Sequence, residues 1–506
     1  MSSNRLARAA TIVMLFYVAS RLLGLVRDIV ISHQFGTSRA LDAYFAAFNI
    51  PDFVFNVIAG GALGSAFLPT FAAALAQSDM PRAWRLASAV INLTLVALTS
   101  IAGLLAIFAP QVVALTVGQG FTPTEQNLTA DLMRWMLITP IVFGVSGIVM
   151  SILNSHQHFA LPALAPVVYN IAIILGAIFL APTMGVYGLV AGVVGGAFLH
   201  LLVQVPWLTR AQMRYTATFE INADVRKVIC LMLPRTLGIA AVQVNFLVNT
   251  ILASTLPAGR IAALAYAWRV MLLPVGVVGQ SLATVVFPTL SAQTARQERE
   301  GFRNTFSTAL RATLYLTIPA TVGLFVLGAP LVTLLFQRGQ FDSQSTSETV
   351  WALQFYALAL FAHSGLEIVT RAFFALHDTL TPVAIGVGAM ILNLILSLVL
   401  IAPLAQGGLA LANSIATIIE LLVLLAILRQ RMGDIDARRI AASIARIAVA
   451  TLAMGVVIVG VANLLASFGA IVVAIAGALV GAVAYLGATL VLRSEEIGFV
   501  IQKIKS

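Results

Sequence analysis

Charge is what this sequence has least of. Charged residues make up 9% of its 506 positions, where a soluble globular chain carries about 25%. That scarcity excludes a solvated surface over most of the chain. Apolar stretches of ~20 or more residues recur from one end to the other, each long enough to cross a hydrocarbon core of ~30 Å, and no soluble domain is left between them. Cysteine is nearly absent. Cys230 stands alone, which excludes internal disulfides and a cysteine-rich metal site and argues against redox chemistry. Catalytic signatures are missing too: there is no HExxH, no phosphate-cradling GxxxxGK[ST], and no acidic pair at a membrane edge beside a large loop. The longer loops, near 109–131, 209–227 and 329–345, are too small for a catalytic domain. The expectation is a polytopic membrane protein that is not an enzyme and carries no cofactor and no metal.

Fourteen spans are expected, near residues 9–33, 41–74, 86–108, 132–154, 160–181, 185–208, 228–254, 261–290, 305–328, 346–375, 381–402, 407–428, 442–466 and 469–492. The first runs on past Arg21 and Arg27 with no small-residue cleavage site, so it reads as an anchor, not a cleavable signal. With both termini in the cytoplasm, the inside-facing segments hold eighteen Lys and Arg residues, Arg82, Arg85, Arg210, Arg214, Arg226 and Lys227 among them, against three outside, Arg39, Arg260 and Arg338. One missed or extra helix would scramble that asymmetry, so the count and the orientation support each other. The +10 net charge is therefore mostly a topology signal, with no nucleic-acid role.

An internal repeat runs at an offset of about 220 residues. Gly60, Leu63, Pro69 and Thr70 recur as Gly279, Leu282, Pro288 and Thr289; Pro162 matches Pro382, and Gly188-Leu189 matches Gly408-Leu409. Each half holds six spans, an even number, so the halves are parallel about an axis along the membrane normal. The expected division is a lobe at 1–218, a lobe at 219–430, and an appendage at 431–506 made of a basic linker and spans thirteen and fourteen. The glycine-rich stretches 188–196 and 477–487 let helices pack closely and carry no dinucleotide fingerprint.

Ionisable residues in mid-membrane are costly, so they usually face a wet cavity and have a task. Arg21 lies about twelve residues into the first span, roughly 18 Å deep. Asp28 falls on nearly the same face, with Arg27 rotated by roughly 120°. Two readings are open: a wet cationic wall, or an internal Arg–Asp pair that only pins helices. Asp42, at the outer end of span two, either pairs with Arg39 or faces a first-helix arginine. Arg269, about nine residues into span eight, comes from the second half, so cations of both halves can share one anionic substrate. Arg235, next to Pro234, is close enough to the cytoplasm to snorkel. Glu367 and Arg371 are spaced for an internal salt bridge. His200 and Glu420 occupy equivalent repeat positions, where a proton-linked role is an alternative to packing. His156, His158 and His377 read as solvated loop histidines.

The text of spans one and two, SRLLGLVRDIVISHQFGTSRALDAYFAAFNIPDFVFNVIAGGALGSAFLPTF (20–71), resembles the MurJ/MviN family of lipid II flippases. So do ILNSHQHFALPALAPVVYN (152–170), YAWRVMLLPVGVVGQSLATVVFPTLS (266–291), LFQRGQFD (335–342) and HDTLTP (377–382). The resemblance implies the MOP-superfamily fold, with two rocking six-helix lobes, a central cavity and a C-terminal groove for a lipid tail. It implies that lipid II, an undecaprenyl pyrophosphate bearing the peptidoglycan disaccharide-pentapeptide, moves from the inner to the outer leaflet of the bacterial inner membrane. It places the family's cavity residues on Arg21, Arg27, Asp42 and Arg269. Guanidinium forks suit pyrophosphate, and Arg keeps its charge where a drier site would neutralise Lys.

There are departures. Many family members have an arginine at the place of Asn56, an acid at Gly61 and an aspartate at Trp268, so the cationic cluster is thinner by one, with Arg235 a candidate to compensate. The acids to test for energy coupling are Asp28, Glu367, Asp378 and Glu420. Rival readings are an exporter of other undecaprenyl-linked oligosaccharides, a multidrug-antiporter relative, whose preferred cargo is usually cationic, and a polyprenyl-phosphate glycosyltransferase, whose interfacial acids and catalytic loop are missing. Protein partners are not legible.

Overall fold

Helices begin where the sequence supplies a polar cap between apolar stretches. The side-chain oxygens of Ser38, Asp79, Asn222 and Asp342 accept from the amides of Leu41, Arg82, Val225 and Ser345, and Thr122 forms a reciprocal capping box with Glu125. Each takes up a donor that the first helical turn leaves unpaired. A computed structural model describes residues 3–60, 62–211 and 213–498, apart from the side chains of 3–10, 62, 65, 233–235, 237, 238, 241 and 242. Among the described residues every regular element is a helix.

Among the described residues ten helices or helix runs are long and apolar enough to cross a membrane, and an eleventh results if Ser343–Ala357 and Leu360–Ala375, bent by 44°, form one span. The remaining expected spans, 9–33, 41–74 and 228–254, fall on the helix Ser3–Phe35, on Arg39–Val54 with Ala62–Ala76, and on Ala223–Ser254. The chain is thus a multi-pass, all-α membrane protein, with ten or eleven spans by this criterion against fourteen expected.

By packing, the chain divides into two units, residues 1–261 with 338–341, and residues 262–337 with 342–506. The core of the first gathers Phe67, Phe71, Trp84, Leu98 and Ile152. Val225 and Val228 join it from Ala223–Ser254, so this helix packs with the first unit although the repeat assigns it to the second half. Arg82 holds the same helix by its first turn, with Nε and Nη2 both 2.7 Å from the Asp224 carboxylate. The segment Arg338–Phe341 also belongs to this unit. Its Gln340 amide donates to the His33 carbonyl at 2.9 Å. Gly339 has φ +62°, and a Cβ there would come within 2.4 Å of that carbonyl, which is why the turn needs glycine.

The Arg82–Asp224 tie lies outside the spans and is sensitive to pH. The hydrogen bonds from Arg82 hold the Asp224 carboxyl below its usual range. A depressed folded pKa stabilises fully above the unfolded value, about 4, and that contribution is lost as pH falls through the folded one. Asp224→Asn is therefore expected to lower the unfolding temperature in detergent slightly at pH 7, and by progressively less as the pH falls below about 4. An equal loss above and below that pH would show that the charge is not what matters.

The second unit centres on Phe302, Phe306, Leu310, Phe373 and Leu424. The last two helices, Ala437–Leu464 and Ala470–Val491, pack on Arg299–Val326 through Tyr315, Ile447, Met454 and Tyr485. Tyr485 donates its hydroxyl to the Tyr315 carbonyl at 2.7 Å.

The backbone repeats the sequence duplication. π-Helical segments occur at Phe55–Ala59 and Val275–Gln280. Left-handed residues pair off at Ser78 and Gln297, Gln157 and His377, and Gly185 and Ala405. Arg303 pairs with Asp436 at 3.5 Å, just before the thirteenth expected span.

Candidate functional site

In the first unit the helix Ser3–Phe35 carries three charges in its second half. Arg27 is locked in place. Its Nε and Nη2 donate to Asp28 Oδ1 at 3.2 and 3.0 Å, and Nη1 donates to Asn170 Oδ1 at 3.1 Å. Asn170 is fixed in turn by donating to the Pro166 carbonyl at 2.9 Å. Three of the five guanidinium N–H groups are thereby engaged, leaving two for a ligand. Asp28 is 4% exposed and Arg27's side chain 22%. Arg21 is uncovered by protein. It donates to the Tyr17 hydroxyl at 3.0 Å and lies over that ring, 5.4 Å from its centre. Arg27 and Asp28 thus pair internally, and Arg21 adds a cation on another face.

Asp42 is wholly buried in the first turn of the helix Arg39–Val54. It accepts from the Gly259 amide at 2.5 Å and lies 3.8 Å from Arg39, the pairing partner expected. Arg39 in turn reaches Glu125 at 2.9 Å. Asn56 sits on the π-helical segment and donates to the Asp52 carbonyl at 2.9 Å. The Arg235 side chain and Gly61 lie outside the described residues.

In the second unit Arg269 is half-buried on the helix Arg260–Pro274. Its neighbour Trp268 meets Tyr356 and His363 edge-on, with ring centres 5.2 and 5.4 Å apart. Glu367 and Arg371 do not form the expected ion pair. Glu367 accepts from Gln280 at 3.4 Å and Arg371 lies over Phe287, since the packed face of the neighbouring helix offers each a partner closer than the other. Asp378 accepts from the Thr381 amide and pairs with Arg431. The Glu420 carboxylate lies against Gly386, and its repeat counterpart His200 shares a 2.7 Å hydrogen bond with Ser146.

His156 and His158 are not the solvated loop residues expected. His156 stacks on Trp84 and His158 on Trp207, because the short loop tucks beneath these aromatics. His377 is exposed, as expected. Among the described residues no three His, Cys, Asp or Glu side chains gather as metal ligands.

Sequence reading missed Asn170, Tyr169 and Asp52. Tyr169 lies within electrostatic range of Arg27, Tyr44 and Asp52. Asp52 follows Pro51 inside an apolar stretch, a signal that was available.

Comparison with known proteins bears on the whole chain. A family model described as lipid II flippase MurJ matches residues 31–478. A probable lipid II flippase MurJ of Haemophilus influenzae is 31% identical over 86% of this chain and 89% of its own length. The lipid II flippase MurJ of Burkholderia cenocepacia is 30% identical over 84% of each chain. A solved lipid II flippase MurJ in an inward closed conformation superposes with TM-score 0.81 at 28% identity, covering 96% of this chain and all of that one. An inward-facing multidrug resistance MATE family transporter of the MOP superfamily gives TM-score 0.72 at 15% identity over 85% of this chain and 99% of its own, a likeness of fold alone.

Proposed function

This chain belongs to the lipid II flippase MurJ family, and we propose that it carries lipid II from the inner to the outer leaflet of the bacterial inner membrane by alternating access. It is a transporter family, and no chemistry on the cargo is needed. The observation that carries the reading at the site is the Arg27 guanidinium, immobilised by Asp28 and Asn170 with donors to spare. A cation fixed before binding loses little entropy on meeting a pyrophosphate, and its planar fork matches two phosphoryl oxygens.

In this proposal Arg21 and Arg27 bind the pyrophosphate from the first half and Arg269 from the second. Asp28 and Asn170 aim Arg27, Asp42 fixes the outer end of its helix through Gly259, and Asn56 replaces a cation with a neutral contact. The lobes are 1–218 and 219–430, and the helices of 431–506 carry the undecaprenyl tail, which stays in lipid throughout. Both termini are cytoplasmic, placing Arg82, Arg210, Arg226 and Arg431 on the inner face. Glu367, Asp378, Glu420 and Arg235 remain the proposed coupling or compensating residues.

Depletion of the endogenous flippase with complementation by this chain, reading lipid II in each leaflet separately, tests the function. Restored growth and restored outer-leaflet lipid II are expected. Unchanged outer-leaflet lipid II, with no redundant flippase present, would overturn it.

A further inference from the structure

Asp52 is an acid inside the expected second span that the transport reading leaves unused. It follows Pro51 in the helix Arg39–Val54 and stands one turn before the π-helical segment Phe55–Ala59. Its carboxylate accepts from Gln243 Nε2, at 3.4 Å, on the helix Ala223–Ser254. The other helices packed against Arg39–Val54 are Pro123–Met136, Ile138–Ser155 and Val186–Leu202. Their charged or titratable groups are engaged elsewhere: Glu125 with Arg39, Asp131 with Arg134, and His200 with Ser146. On Ala223–Ser254, Asp224 is held by Arg82, Arg226 and Lys227 belong to the same exposed first turn, and the Arg235 side chain is not described. Tyr169, across from Asp52, is a neutral phenol, and Arg27, within range of that phenol, is held by Asp28 and Asn170. No ion pair among the described residues includes Asp52.

Asp52 is half-buried, and a carboxylate drawn partly out of water is costly unless a cation accompanies it. Hydrogen bonds from the neutral amides of Gln243 and Asn56 offset only part of that cost. A metal ion would need several oxygen ligands, and no ligand cluster is present among the described residues. The proton is the cation that needs none. We propose that Asp52 is a proton site of the transport cycle: its carboxylate takes up one proton from water on one side of the membrane and releases it to water on the other. The repeat places Met271 at the equivalent position of the second half, so the duplication supplies no second acid there. The π-helical segment beside it is where the hydrogen-bond ladder changes register, a common device at functional sites and a natural place to expose the acid alternately.

The inference rests on the flippase reading, and its test separates the two. Purified chain in proteoliposomes containing lipid II is assayed with imposed pH gradients of either sign. The wild-type rate is expected to change by up to about tenfold per pH unit, the change in proton activity. Asp52→Asn should stay folded, by unfolding temperature and gel filtration, and lose that dependence, while Asp52→Glu should keep it. An Asp52→Asn protein that still follows the pH gradient overturns the proposal. So does a wild type that follows only a sodium gradient. Infrared spectra give a readout free of transport: a protonated carboxyl band present in the wild type and missing in Asp52→Asn is expected. Its persistence in the variant overturns the site. If the wild type moves no lipid II, the flippase reading fails while the band still decides Asp52.

Discussion

Replacing Arg27 by alanine is expected to abolish complementation while leaving the protein folded and inserted. The change removes a cation with two open donors and takes an ion-pair partner from Asp28, 4% exposed. Losing one member of such a pair costs about 2–5 kcal/mol, roughly thirtyfold or more in binding or rate. Arg27→Lys keeps the charge but cannot reach both Asp28 and Asn170 as a planar fork, so partial activity is expected. Asn170→Leu should fall between wild type and Arg27→Ala, since it frees the guanidinium on one side only. Arg21→Ala and Arg269→Ala should fail to complement as well. Full activity in all three alanine variants would make these arginines structural, and the pyrophosphate grip would have to lie elsewhere.

Much of this arrangement was legible in the sequence because membrane constraints are simple. Apolar run lengths located ten or eleven of the fourteen expected spans among the described residues, and the offset between Pro162 and Pro382 or Gly188 and Gly408 exposed the duplication that the paired π-helical segments repeat in the backbone. Depth alone singled out Arg21, Arg27 and Arg269. Partners were harder. Helical spacing suggested Arg21 and Asp28 on one face and a Glu367–Arg371 pair, but the side chain of Arg27 folds back on its immediate neighbour, and Glu367 finds Gln280 on another helix. Such choices depend on what a neighbouring helix presents, which periodicity within one helix does not encode. The same holds for Ala223–Ser254. Its place in the repeat marks the start of a lobe, yet Val225, Val228 and Asp224 commit it to the first unit. Trp268 shows how a departure is absorbed: where relatives carry an aspartate, its ring packs against Tyr356 and His363, so Arg269 has an aromatic neighbour in place of an acid.

Arg311 was not singled out in the sequence, and its burial gives the largest expected stability effect. Its side chain is 2% exposed, as is that of Glu496, whose Oε1 receives the Arg311 Nε at 2.6 Å. Glu496 also accepts from Ser443 and Ser494 at 2.8 and 2.6 Å, and Glu495 bridges Arg311 to Arg439. The cluster thus ties the helix Arg299–Val326 to both ends of the appended helix pair, through Ser443 near its start and Glu496 just past its close. Arg311→Met leaves a buried carboxylate without a cation, which costs about 3–5 kcal/mol. Replacing both partners with apolar residues of similar volume is often neutral or stabilising, so Arg311→Met with Glu496→Met should recover most of the loss. Chemical unfolding of the purified chain in detergent measures both variants. If the single variant is as stable as the wild type, or the double as weak as the single, the helix pair is held by the apolar packing of Tyr315, Met454 and Tyr485 and the ion cluster is incidental. If the double recovers, the charges are dispensable for folding. Restored growth with the double variant would then show that the appended helices need only to be fixed to their unit, and continued failure would show that the charges themselves act in transport.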